Sequence, residues 1–222
     1  MIFDNSPEMF ESEKERNLYY KFFAGYFFNE LIPDYEKRLS AFCSLFNHPN
    51  VIGASANNSP IILSSNNTHV SFDNHLYLFS EIKSDRGEFA DILIHDHTSK
   101  ILISIEVKLH SNWSFKKDIT SNQNRLNKIA NKLIGVRIEH VLLILESKWR
   151  QNEKIKSSSR SNYVLFQSNK DCRSRIIFWE SFLEICPSAY VSSFLKKQLK
   201  RNKKDSKYKF YDSWFKIINA AG

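Results

Sequence analysis

Two short apolar runs separated by a polar turn, between Glu88 and Lys108 (EFADILIHDHTSKILISIEVK), constrain the fold of this chain more than any other stretch. Phe89, Ile92, Leu93 and Ile94 make the first run, Asp96-His97-Thr98-Ser99 supplies turn-forming residues, and the β-branched run from Ile101 to Val107 follows. That pattern predicts two buried strands in a tight hairpin. Glu106 and Lys108 are two residues apart, so the pleat of a strand puts both on one face while Ile105 and Val107 point to the other. With the turn centred near Thr98, antiparallel pairing sets Asp91 roughly opposite Glu106. Two carboxylates and an ammonium group then converge at one end of a sheet. Ionised groups are almost never fully buried unless paired or bound to metal, so their place in Ile/Leu/Val strands points to a site.

The order Asp91, fourteen residues, then Glu106-Val107-Lys108 resembles the PD-(D/E)XK nuclease superfamily, from about Leu76 to Leu126 and on toward the Trp179 region. The resemblance implies a restriction-endonuclease-like core. It also implies that Asp91, Glu106 and the Val107 carbonyl hold Mg²⁺, with Mn²⁺ as a substitute, and that Lys108 orients and activates the attacking water. The first motif reads Ala90-Asp91 and lacks the proline of the family name. Glu81, ahead of the turn from Lys83 to Gly87, is similar to an extra acid that assists the metal in several branches. Gln123 looks like a glutamine that stands near the scissile phosphate, and Glu15 or Glu30 would match a ligand that some members take from an N-terminal helix. Each position also has a plain structural account: an E-x-K pair on a solvated edge, a strand-end glutamate facing water, a solvated helix residue.

At 222 residues the chain can bury one substantial core, and no Gly/Pro-rich linker divides it. A single domain is expected, with a core over about 76–186, an N-terminal helical part over 1–47 and a basic C-terminal part over 187–222. The formal charge of +8 is uneven, because residues 146–222 hold 17 Lys/Arg against 7 Asp/Glu while residues 1–80 hold 5 against 9. A basic last third suits a polyanion such as DNA, and suits a solvated surface equally. Cys43, Cys172 and Cys186 have no disulfide or zinc-finger spacing and read as buried thiols in a reducing cytoplasm. The acidic N-terminus is unlike a signal peptide, and the run Val141 to Leu145 is too short to span a bilayer, so no membrane is expected.

In chain order, a capping box at Ser12 and Glu15 and helical spacing of Leu18, Tyr19, Phe22, Phe23, Tyr26 and Phe27 predict a helix over 12–32, ended by Pro33. A second helix is expected over 34–46. Residues 47–75 read as irregular, with a short strand at Ile61–Leu63, and Leu76–Ile82 as the first strand of the central sheet. After the hairpin, a helix over 114–133 carries Lys116, Lys117, Arg125 and Lys128 as candidate phosphate contacts. His140–Leu145 is a strand whose continuous apolar run calls for cover on both faces, and 147–162 reads as a basic loop. Tyr163–Phe166 is an edge segment, Ile176–Trp179 a further strand, and helices follow over 180–185 and 187–200. The tract KKQLKRNKKDSKYK from Lys196 makes Lys200, Arg201, Lys203 and Lys204 candidate nucleic-acid contacts. His95-x-His97 could aim two imidazoles together, with His110 nearby, but no third ligand is convincingly spaced.

The expected architecture is α/β, a mixed central sheet flanked by helices. The expected function is Mg²⁺-dependent hydrolysis of phosphodiester bonds, of DNA first, by a stand-alone enzyme or a homodimer, in restriction, transposition or repair. A noncatalytic nucleic-acid-binding or assembly subunit and an RNA-directed nuclease are the rivals, since 2′-hydroxyl readout depends on groove geometry that a sequence does not place.

Overall fold

The computed structural model describes residues 18–19, 22–23, 35–49, 51, 60–64, 68–72, 90–109, 112–130, 133–151, 172–185 and 189–201. Five strands form one sheet among them: β1 (Thr68–Phe72), β2 (Ile92–Asp96), β3 (Ile101–Lys108), β4 (Arg137–Ile144) and β5 (Cys172–Phe178), in that spatial order. β1, β2 and β3 pair antiparallel, whereas β4 and β5 run parallel to β3. The helices are α1 (Tyr35–Phe46), a π-helical segment Phe115–Thr120 that runs into α2 (Ser121–Ala130), α3 (Glu146–Gln151), α4 (Ser181–Ile185) and α5 (Ala189–Arg201). The chain is therefore α/β with a mixed sheet.

The period-2 alternation along β3 sorts its side chains between two different surroundings. Ile101, Ile103, Ile105 and Val107 enter the large core with Ile92 and Ile94 of β2, Val141 and Leu143 of β4 and Ile177 of β5. Phe42 and Phe46 of α1, Phe182 of α4, Val191 of α5 and the helical residues Leu18, Tyr19, Phe22 and Phe23 close over that face. Phe22 meets Trp179 at 5.0 Å and Phe182 at 4.9 Å, both edge to face. Burying one such ring stabilises the fold by roughly 1.5–3 kcal/mol, and each aromatic pair adds about 0.5–1.5 kcal/mol. The N-terminal aromatic run is thus core, and no stacking platform.

The opposite face is covered by the helices between strands. Leu93, Leu102, Leu126 and Ile138 pack together there, as do Ile119, Leu142, Ile144, Trp149, Ile176 and Phe178. β4, buried along nearly its whole length, is covered on both sides as its apolar run requires. On the core face, Glu139 is fully buried between two guanidinium groups. Arg137 reaches its Oε1 at 2.6 and 2.8 Å, and Arg175 Nε donates to its Oε2 at 3.1 Å while Nη1 donates to the Phe46 carbonyl at 3.1 Å. Charge-assisted bonds of this kind tie β4 and β5 to α1.

Several boundaries differ from the sequence reading. Thr68–Phe72, expected to be irregular, is a strand because its register against β2 buries Thr68 and Val70. Ile61–Leu63 is no strand. The Asn47 side chain donates to the Ile61 carbonyl and accepts from its amide, at 2.8 and 3.0 Å, taking the role of a strand partner. The start of the expected basic loop is helical, since the Glu180 carboxylate accepts the Glu146 amide at 3.0 and 3.2 Å and Trp149 is buried below. β4 begins at Arg137, three residues before expectation, and β5 at Cys172, four before. The thiol of Cys43 is free, accepts the Leu63 amide at 3.3 Å and is pushed up in pKa by burial. The expected strand at 76–82, the segment 163–166 and most of the helix at 12–32 lie outside the described residues.

Candidate active site

Because Ile92 pairs with Ile105, continuing the register sets Asp91, the residue just ahead of β2, beside Glu106. Contacts agree with that placement. Asp91 Oδ2 accepts the Val107 amide at 2.7 Å, and Oδ1 accepts the Tyr19 hydroxyl at 3.3 Å. A carboxylate with both oxygens engaged is held in one orientation rather than left to swing in solvent.

Glu106 and Lys108 share the face of β3 opposite Val107, and their side chains meet: Lys108 Nζ lies 2.7 Å from Glu106 Oε1. A second carboxylate stands behind the ammonium group, with Asp118 Oδ1 at 3.4 Å. Burial by itself would lower the Lys108 pKa, but the charge and hydrogen bond of Glu106, then the charges of Asp118 and Asp91, outweigh it and hold the group above its ordinary value. Lys108 is consequently a permanent cation at neutral pH. It can donate hydrogen bonds and neutralise an oxyanion, but it cannot accept a proton as a general base.

The π-helical segment and α2 supply the residues that sequence reasoning missed. Asp118 is buried; its Oδ2 accepts the Ser114 amide at 2.6 Å while Oδ1 faces Lys108. Asn122, one α-turn on, donates to the Asp118 carbonyl at 3.0 Å and to Glu106 Oε2 at 3.4 Å. Both recur at i and i+4 beside the apolar Ile119, on the stripe that packs against the sheet, and that spacing was the available signal. The wider π-turn is a departure from regular helix of the kind that recurs at functional sites.

Gln123 goes elsewhere. It is buried, and its amide donates to Ser174 Oγ at 2.6 Å, next to His140 Nδ1 at 3.1 Å from the same hydroxyl. The α2 side chain against Glu106 is Asn122, one residue ahead of the expected glutamine. Burial pushes the His140 imidazole down to about 3, so it is neutral. Of the basic candidates, Lys117 and Arg125 are exposed, Lys116 and Lys128 lie in the same helical stretch, and Lys200 and Arg201 end α5. Glu81, Lys203, Lys204, Glu15 and Glu30 fall outside the described residues.

Among the described residues no group of three or more His, Cys, Asp or Glu side chains is arranged to hold a metal ion. The donors at the hairpin mouth are hard oxygens, and three carboxylates surround a single ammonium group, leaving a net negative charge. Mg²⁺ binds through one or two carboxylates and keeps several waters, so Asp91 and Glu106 fit a hydrated hard cation and do not fit a soft one. No helix among the described residues is long and apolar enough to cross a membrane. No protein-family model, curated protein or solved structure matches the chain.

Proposed function

We propose that this chain is a metal-dependent phosphodiester hydrolase of the PD-(D/E)XK type, with a restriction-endonuclease-like core and DNA as its first substrate. One observation carries the reading: the permanently charged Lys108 lies 2.7 Å from Glu106 at the end of β3, where Asp91 is held on the Val107 amide. An exposed strand-edge pair would not explain it, because Lys108 is 9% exposed and is backed by the buried Asp118.

Asp91, Glu106 and the Val107 carbonyl would hold a hydrated Mg²⁺, or Mn²⁺, which when bound polarises the phosphate and stabilises charge on the leaving oxygen. Lys108 donates to the oxygen of the attacking water and fixes its approach. Asp118 aims the ammonium group, and Asn122 steadies Glu106. In-line attack on phosphorus breaks the bond to the 3′ oxygen and leaves a 5′-phosphate and a 3′-hydroxyl. Lys117, Arg125 and the basic end of α5 contribute sequence-independent phosphate attraction. The free, half-buried Cys43 suits a reducing cytoplasm, and either a monomer or a homodimer could present this site.

The test is incubation with linear, circular, single-stranded and branched DNA and with RNA, in Mg²⁺ and in chelator. Chelator-sensitive cleavage that leaves 5′-phosphate ends is the expected result. Binding without cleavage of any substrate would move the protein to a noncatalytic role, and cleavage confined to RNA would reassign the substrate.

A further inference from the structure

The hairpin carries a second polar feature at its opposite end. His95 lies in β2 and His97 begins the turn, and their imidazole rings stand 3.9 Å apart between centroids, tilted by 48°. His97 is exposed and His95 half-buried, so the pair is open to solutes. Asp96 between them is fully buried and points the other way. Its Oδ1 accepts the Thr98 and Ser99 amides at 2.8 and 3.0 Å, and its Oδ2 accepts the Ser64 amide at 2.6 Å. These bonds anchor the turn from the core side. Strand alternation then sends the flanking residues to the opposite side.

The neighbouring strand concentrates imidazoles further. His69 of β1 pairs with His95 in the antiparallel register, where opposed Cα atoms stand roughly 4.5–5.5 Å apart. Three of the chain's seven histidines thus occupy one end of a two-strand ladder. Neutral imidazole is a borderline ligand that suits zinc, nickel and copper, unlike the hard oxygens of Asp91 and Glu106. Two imidazoles on an anchored turn form a chelate with little ordering left to do. His95 is four residues along the chain from Asp91, about 13 Å at ~3.3 Å per strand residue, so the two positions are distinct.

We propose that His95 and His97 form a binding site for a borderline divalent cation of the zinc, nickel or copper class, separate from the Asp91–Glu106 cluster. Calorimetric titration of the full chain with Zn²⁺, in excess Mg²⁺ to compete at the carboxylates, tests it alongside His95→Ala, His97→Ala and Glu106→Gln. Saturable Zn²⁺ binding is expected in the wild type and in Glu106→Gln, weakened about ten-fold or more in each histidine variant. Melting curves of the histidine variants without zinc should match the wild type, which separates impaired ligation from impaired folding. Absent binding in the wild type, wild-type affinity in either histidine variant, or loss on Glu106→Gln instead would overturn the assignment.

Discussion

The Val107 amide donates to Asp91 Oδ2 at 2.7 Å, joining residues 16 apart in sequence across the mouth of the β2–β3 hairpin. The carboxylate is thereby oriented before any cation arrives. Asp91→Asn keeps an acceptor oxygen and loses the charge, so Mg²⁺-dependent cleavage should fall by about 100-fold or more while the melting temperature changes little. Asp91→Ala should lose activity as well and should destabilise by roughly 1–3 kcal/mol, because the Val107 amide is left without its partner. Cleavage rates and melting curves of the two variants check this, and an active Asp91→Asn would rule the site out.

Lys108 separates a catalytic role from an adhesive one. Lys108→Met keeps most of the apolar stem and removes the charge, so single-turnover cleavage should collapse while DNA binding measured in Ca²⁺ survives. Asp118→Asn should act through Lys108 and lower the same rate by about 10–100-fold with binding unchanged. Near-wild-type turnover in Lys108→Met would remove the mechanism drawn here.

Neutralising Lys200, Arg201, Lys203 and Lys204 together should flatten the salt dependence of DNA binding. Every phosphate that is no longer neutralised by a basic side chain reduces the slope of log affinity against log salt by about 0.9 on duplex DNA. An unchanged slope would mean that other parts of the protein bind the phosphates.

The Arg137–Glu139–Arg175 cluster makes a prediction about stability alone. Glu139 pairs in register with Ile103, on the core face, whereas Glu106 and Lys108 lie on the other. Glu139→Gln would leave two guanidinium groups without their shared counter-charge and should cost roughly 3–5 kcal/mol. Urea midpoints should drop accordingly, with cleavage at low temperature retained. A midpoint close to wild type would mean that the ion cluster contributes little to folding.

Acid should destabilise the protein before the carboxylate range is reached. His140 takes up its proton near 6.5 when unfolded but only at about 3 when folded, because burial disfavours the charged ring. The unfolded state binds more protons throughout that window, so stability is full above about pH 6.5 and declines as pH falls toward 3. Asp96 adds to the decline at its lower end. Burial would raise its carboxyl pKa, but the amides of Ser99, Ser64 and Thr98 prevail and hold it below the ordinary value, so its contribution is lost as pH falls through the folded value. Urea midpoints between pH 7.5 and 4.5 should fall for the wild type and stay flatter for His140→Gln. Parallel slopes would refute the assignment to His140.

The β2–β3 hairpin was legible in the sequence because its signals are local. The alternation of Ile105, Glu106, Val107 and Lys108 determines which side chains share a face, and the polar turn between two β-branched runs determines what pairs with what. The aromatic spacing at Leu18, Tyr19, Phe22 and Phe23 likewise marks a core face, because helical periodicity needs only near neighbours. Groups brought together from far along the chain follow no such pattern. The Glu180 carboxylate starts α3 at Glu146 from 34 residues away, and Ser174 draws Gln123 aside from 51 residues away. β1 exists as a strand through its ladder with β2, since THVSF has too little apolar content to announce itself. Asp118 and Asn122 join Lys108 and Glu106 only when the π-turn and α2 pack against β3. The sequence by itself determined which residues alternate and which are apolar; the tertiary structure decided which buried polar group meets which, because long-range partners are selected by packing and by the cost of leaving such groups unpaired.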